Sequence, residues 1–203
     1  MDKSLQGLPG YQVNEYKIVL LPHEELARHI MEVRKSINEA FKIEKHSTSH
    51  PQVVLAIFKQ IQAFEKRITN RLKIVAMGSH AFKVELKNFG SYPSHTIFIN
   101  VTTKTHISDL VKKIRHDAQK LMKLDAENKP HFLNDSHINL GLKLKPWQYE
   151  EAWKQYSHRH FTGRFIAKNM VLLRRRAGET GYKIIQSFDF ENLPVDTRQG
   201  ELF

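Results

Sequence analysis

The 203-residue chain is 40% hydrophobic and 26% charged, enough apolar material for a packed core and too much for a disordered chain. Its 32 lysines and arginines outnumber 21 aspartates and glutamates, for a formal charge of +11, a balance that favours polyanionic partners such as RNA, nucleotides or acidic lipid surfaces. The absence of cysteine excludes disulfide frameworks, thiolate metal sites, iron–sulfur clusters and cysteine nucleophiles.

The opening residues, Met1 to Leu8, lack the apolar core of a signal peptide. The longest wholly apolar run, Val53 to Phe58, is far short of the roughly 18 residues a membrane span needs. These features predict a soluble, cytoplasmic protein.

After a lead-in containing Gly7, Pro9 and Gly10, the run Tyr16 to Leu21 reads as a buried strand, and Pro22 is suited to open a helix. In that helix Leu26, Ile30, Val33, Ile37 and Phe41 form one apolar stripe. A polar stretch from Glu44 to Ser49 precedes a strand from about Gln52 to Phe58. A second helix carries Ile61, Phe64, Ile68, Leu72 and Val75 on one face and ends at Gly78. Phe82, Val84 and Leu86 alternate with charged residues, as in a half-exposed strand, and a turn over Asn88 to Pro93 leads to a strand from His95 to Val101.

The third helix buries Leu110, Ile114, Ala118 and Leu121 and keeps a basic wet side. A strand from His137 to Leu144 follows, then a short helix opened by Pro146 and carrying Trp147, Tyr149, Trp153 and Tyr156. Strands near Phe165 to Leu173 and Tyr182 to Phe190 read as a hairpin about Ala177 to Gly181, and the tail from Pro194 to Phe203 reads as loose. Strands and helices interleave without a linker, predicting one compact domain over residues 1–203.

Two strands share a plan. Pro51-Gln52-Val53-Val54-Leu55-Ala56 and Ser136-His137-Ile138-Asn139-Leu140-Gly141 lie 85 positions apart, each between helices. Alternation places Ile138, Leu140, Leu142 and Leu144 on a core face and His137, Asn139, Gly141 and Lys143 on an open one. In the first segment Val53, Leu55 and Ile57 face inward, with Gln52, Val54 and Ala56 opposite. The small residues Ala56 and Gly141 would leave room for a ligand.

With these strands and the middle stretch Phe89-Gly90-Ser91-Tyr92-Pro93-Ser94-His95-Thr96-Ile97-Phe98, the chain from Tyr16 to Phe190 resembles the 2H phosphoesterases. It looks particularly like the bacterial 2′-5′ RNA ligase-like and cyclic phosphodiesterase branch. The resemblance implies an α+β, bilobal, pseudo-duplicated fold with two antiparallel sheets around a central cleft and helices outside. It also implies two His-x-Thr/Ser motifs facing a phosphate, one histidine as general base and the other as general acid. The implied reaction is metal-free attack on a 2′,3′-cyclic phosphate or a 2′-5′ linkage, without a cofactor.

The chain departs from that pattern at three of the four motif positions. Gln52 stands where the first histidine belongs, Val54 where its hydroxyl belongs, and Asn139 at the second hydroxyl position; only His137 remains. Glutamine hydrogen-bonds a phosphate but exchanges no proton at neutral pH. His50, two residues before Gln52, would lie about 7 Å along the same face if the strand reached it. His95 shares its face with Ile97, Ile99 and Val101 and reads as structural.

Within Ser157 to His160, His158 and His160 lack the carboxylate or thiolate company of a metal site. The basic side of the third helix and Arg174-Arg175-Arg176 read most simply as solvated surface, with RNA contact the alternative. The expectation is a divergent family member that binds RNA ends or nucleotide phosphates, with catalysis impaired. His137 and Asn139 would grip the phosphate, helped by Gln52, Lys143 and His50. Two alternatives stand beside it: an active phosphoesterase using His137, and a non-catalytic interaction protein.

Overall fold

A computed structural model describes residues 10–43, 49–93 and 95–194. Nine strands and four helices follow in order among them: β1 (Val13–Leu20), α1 (Glu24–Ala40), β2 (Val53–Ile61), α2 (Glu65–Met77), β3 (Phe82–Tyr92), β4 (Thr96–Val101), α3 (Thr105–Met122), β5 (His131–Phe132), β6 (His137–Leu142), α4 (Pro146–Tyr156), β7 (Thr162–Ala167), β8 (Asn169–Arg176) and β9 (Lys183–Asp189). A 3₁₀ turn, Gln62–Phe64, joins β2 to α2. The tail beyond Pro194, the lead-in through Pro9 and most of the polar stretch after Ile43 lie outside the described residues.

The strands form two antiparallel sheets, β5-β2-β1-β8-β9 and β6-β4-β3-β7. Helices α2 and α3 pack side by side on the first sheet, against β2, β8 and β9, whereas α1 and α4 pack on the second, against β6, β7 and β4. One core joins both layers: Ile18, Leu55 and Leu172 of the first sheet meet Ile97, Ile138 and Phe165 of the second, with Ile30, Leu72, Ile114 and Ala152 from the four helices.

The strand expected from Phe165 to Leu173 is two strands. It breaks at Lys168, so that β7 pairs with β3 in one sheet and β8 with β1 in the other. Of the turn expected over Asn88 to Pro93, Asn88 to Tyr92 instead continue β3, and the turn begins at Pro93. The register shifts between Leu86 and Phe89, with Asn88 in the left-handed region at φ 59°, a conformation asparagine tolerates. The two-residue strand β5 is too short to leave a periodic signature.

The two look-alike strands carry the same irregularity. Ile18 lies opposite Ala56 while Val19 lies opposite Val54, leaving Leu55 as the extra residue of a bulge. Ile97 lies opposite Gly141 while Phe98 lies opposite Asn139, leaving Leu140 in the same role. Leu55 and Leu140 are again 85 positions apart.

A bulge shifts the alternation by one residue, and this reverses several placements read from strict period two. Ala56 and Gly141 turn to the core rather than to an opening. Ala56 is fully buried, and a Cβ on Gly141 would stand 3.3 Å from a Leu144 methyl. Ile57 turns outward to half burial, and Phe58 takes its place in the core. Lys143 lies past the end of β6, exposed and at φ 57°, so it does not share a strand face with His137 and Asn139.

Candidate functional site

His137 opens β6 opposite Asn100 of β4, and its ring leans on Phe98 and Tyr92, with centroids 4.5 and 5.4 Å away. Its Nδ1 lies 3.0 Å from the Asp135 carbonyl oxygen. A carbonyl only accepts, so Nδ1 carries the hydrogen, and the neutral ring keeps its lone pair on Nε2. Burial lowers the His137 pKa, opposed by the Asp135 carbonyl and carboxylate and by the Asn139 amide. The imidazole is therefore neutral at pH 7, with a basic nitrogen to offer.

A polar chain stands behind the ring. Lys104 Nζ is 2.6 Å from Asp135 Oδ1, and the Tyr92 hydroxyl donates to Asp135 Oδ2 at 3.1 Å. The Lys104 hydrogen bond holds the Asp135 carboxyl below its ordinary range, while burial and then Asp135 push the Tyr92 phenol up. Beneath the aromatic pair lies Gly90. A Cβ there would meet Phe98 Cε2 at 2.4 Å and Asn100 Oδ1 at 2.7 Å, so only glycine lets the Phe98 ring lie flat on β3.

Asn139 lies opposite Phe98, and its Oδ1 is buried without a hydrogen bond of good geometry; the Ser136 hydroxyl oxygen is likewise buried and unpartnered. Arg34 of α1, 6% exposed, donates from Nη1 to the Ser49 carbonyl oxygen and from Nη2 to the Asn139 carbonyl oxygen at 2.9 Å. One guanidinium thus ties the segment entering β2 to β6, and burial lowers its pKa.

The first-sheet side is chemically different. Gln52 precedes β2 and is half-buried. Val54 packs with Val19, Val171 and Leu173, together with Leu21 and Tyr182, so the position where the resemblance led us to expect a hydroxyl is apolar. Further along this sheet Lys17 Nζ sits 4.2 Å from the Tyr182 ring centroid, and burial lowers its pKa. Tyr182 donates its hydroxyl hydrogen to Glu15, and Arg175 pairs with Glu15 at 2.9 Å. Burial works against the Glu15 charge, but the bonds from Tyr182 and Arg175 outweigh it and keep the carboxyl below its ordinary range.

Other sequence candidates are placed as follows. His50 is exposed before the start of β2, its Nδ1 3.1 Å from the Pro51 carbonyl oxygen, and the strand, which starts at Val53, carries neither His50 nor Gln52. His95 is exposed before β4 and bonds the Pro93 carbonyl oxygen at 3.0 Å. Of the arginine run read as solvated surface, Arg174 pairs with Glu65 at 2.9 Å, Arg175 pairs with Glu15, and only Arg176 is exposed. The aromatic residues of α4 divide, Tyr156 being buried and Trp147 51% exposed. A cavity of about 730 Å³ lies at the far end of β2 from Gln52, lined by Asn14, Glu15, Lys59, Arg175 and Arg176 among others.

Among the described residues no group of three or more histidines and acids is arranged to hold a metal, and no helix is long and apolar enough to cross a membrane.

Sequence reasoning missed Arg34, Lys104, Asp135, and the Tyr92–Phe98 pair. Arg34 had a signal: it occupies the place four after Ile30, a charge inside an apolar stripe, where a buried cation must have partners. The others depend on pairing between segments remote in sequence.

A bulged strand bearing histidine and asparagine, its counterpart 85 residues earlier, and two antiparallel sheets with helices outside define a duplicated phosphoesterase architecture. Residues 21–179 match the 2′-5′ RNA ligase superfamily, and the chain belongs to that family. No curated protein matches the sequence. Among solved structures, E. coli LigT complexed with 3′-AMP superposes with a TM-score of 0.63 at 12% identity, covering 88% of this chain and 98% of that one. TT0787 of Thermus thermophilus gives 0.64 at 15% identity over 87% of this chain and 98% of its own. Kluyveromyces marxianus Usb1 gives 0.50 at 10% identity over 87% and 98%.

Proposed function

We propose that this chain binds RNA ends or nucleotide phosphates where β2 and β6 approach each other, and that the two-histidine reaction of its family is impaired. The observation that carries this reading is the shared bulge. The two strands are built alike, yet only β6 carries a histidine. Opening a 2′,3′-cyclic phosphate with water requires one group to take a proton from the water and another to give one to the departing ribose oxygen. His137 Nε2 fills one role. Gln52 donates a hydrogen bond but no proton, and Val54 supplies no hydroxyl. Loss of one general acid or base typically costs about 10²- to 10⁴-fold in rate.

Nucleotide phosphate as ligand is supported by LigT, whose structures hold 3′-AMP, phosphate, ATP and NADP+. In this chain the Asn139 side chain lies beside His137, and its amide NH2 and that of Gln52, just before β2, are the groups able to donate hydrogen bonds to phosphate oxygens. A second reading, an active phosphoesterase, draws on one feature: His137 is neutral, with Nε2 left basic by the Nδ1–H bond to Asp135.

The test is turnover of an RNA ending in a 2′,3′-cyclic phosphate by the native protein, His137→Ala, and Gln52→His/Val54→Thr. Activity only in the restored double variant supports the proposal. Native turnover abolished by His137→Ala refutes impairment and establishes an altered mechanism. Silence from all three, with no thermal shift from 3′-AMP, leaves a protein that keeps the fold without the phosphate site.

A further inference from the structure

The net charge is distributed by layer. Helices α2 and α3, side by side on the five-stranded sheet, carry eight lysines and arginines against three acids. One of the three, Glu65, is taken by Arg174, and Asp109 and Asp117 have local partners in Lys112 and His116. Helices α1 and α4, on the other sheet, carry four lysines and arginines against six acids. A charge serving solubility alone would have no reason to collect on one side of the fold.

From this segregation we infer that the α2/α3 layer is an RNA-binding surface, gripping the phosphate backbone of a base-paired region whose end reaches His137. This deepens the proposed function and rests on it for the identity of the end. Both helices bury their apolar stripes, Ile68, Leu72 and Val75 on one and Ile107, Leu110 and Ile114 on the other, and so hold their basic sides outward as one rigid layer. Lys66 and Lys73 lie two turns apart on one exposed stripe, and Lys112 and Lys120 two turns apart on another.

The layer exposes no tyrosine, tryptophan or phenylalanine on which unpaired bases would stack, and Ile74 is its one exposed large apolar side chain. Backbone phosphates of a duplex fit such a surface, whereas single strands and lipid interiors do not. The path to the site is short. Arg115 stacks its guanidinium 4.9 Å from the centroid of Phe132 on the edge strand β5, and from β5 the chain runs directly to His137.

The probe is a fluorescent RNA hairpin with a short 3′ overhang, titrated at several salt concentrations. The proteins are the native chain, Lys66→Gln/Lys73→Gln/Lys112→Gln/Lys120→Gln, and the same four positions changed to arginine. Thermal melting shows that each is folded, and 3′-AMP binding reports the cleft separately. The glutamine variant is expected to bind the hairpin at least about tenfold more weakly at low salt. Its log K against log[salt] slope should be smaller by about 3.6, since each of the four lost phosphate contacts removes about 0.9. The arginine variant and 3′-AMP binding should be unchanged. An unaltered hairpin affinity and slope in the glutamine variant would overturn the inference. So would binding of 3′-AMP but not the hairpin by the native protein, which leaves the cleft reading intact. Capture of the native protein by phosphatidylserine vesicles in preference to the hairpin would instead make the layer a lipid-facing surface.

Discussion

Gly90→Ala isolates the support of His137. Gly90 has negative φ, so alanine meets no backbone obstacle and would ordinarily stabilise by restricting the unfolded chain. The added methyl would instead lie 2.4 Å from Phe98 Cε2 and 2.9 Å from Cζ. Normal contact starts near 3.5 Å, so the ring must retreat by about 1 Å. It has nowhere easy to go, being 6% exposed and packed against Tyr92 at 4.9 Å and His137 at 4.5 Å.

Overpacking of this kind costs about 1–3 kcal/mol, which for a chain of this size lowers the melting temperature by roughly 2–12 °C. Displacement of the imidazole should also weaken 3′-AMP binding. Urea unfolding measures the first effect and ligand titration the second. Phe98→Leu in the Gly90→Ala background should recover part of the loss, with a coupling of about 1 kcal/mol in the double-mutant cycle. A Gly90→Ala protein as stable as the native one, or strictly additive changes, would refute the argument that the glycine exists to seat Phe98.

Three further outcomes follow from the same geometry. Because burial lowers the His137 pKa, both states hold a neutral ring above about pH 6.5 and the residue contributes no pH dependence there. Below that pH the unfolded chain takes up the proton first, so stability falls with pH until the folded pKa is reached. The native protein should therefore lose more melting temperature between pH 7 and pH 5 than His137→Gln, and equal losses would contradict it. Arg34→Met removes both donors to the Ser49 and Asn139 carbonyls and should destabilise by about 1–3 kcal/mol in denaturant unfolding while weakening 3′-AMP binding; unchanged affinity would show that the tie does not position the site. Lys104→Ala takes away the leading influence on Asp135, so the Asp135 carboxyl should titrate at a higher pH, followed by its NMR side-chain shift.

The apolar run from Tyr16 to Leu21, the stripes of the long helices and the parallel between residues 51–56 and 136–141 are local patterns, and they were enough to place the main strands and helices and to single out His137 as a candidate, whereas the two-sheet layout came from the family resemblance. Period two assumes an unbroken ladder, which explains where the reading of faces failed. The bulges at Leu55 and Leu140 exist only in the pairing with β1 and β4, and they turned Ala56 and Gly141 into the core. The break at Lys168 likewise depends on β7 and β8 finding different neighbours.

By itself the sequence determined the composition of the proposed site: one histidine, one asparagine, a glutamine and a valine, because these identities set which protons and hydrogen bonds are available. Tertiary structure alone decided what surrounds them. Arg34 is 15 residues from Ser49 and 105 from Asn139, and Lys104 is 31 from Asp135. Contacts at such separations depend on how helices and sheets pack together, which no local periodicity encodes.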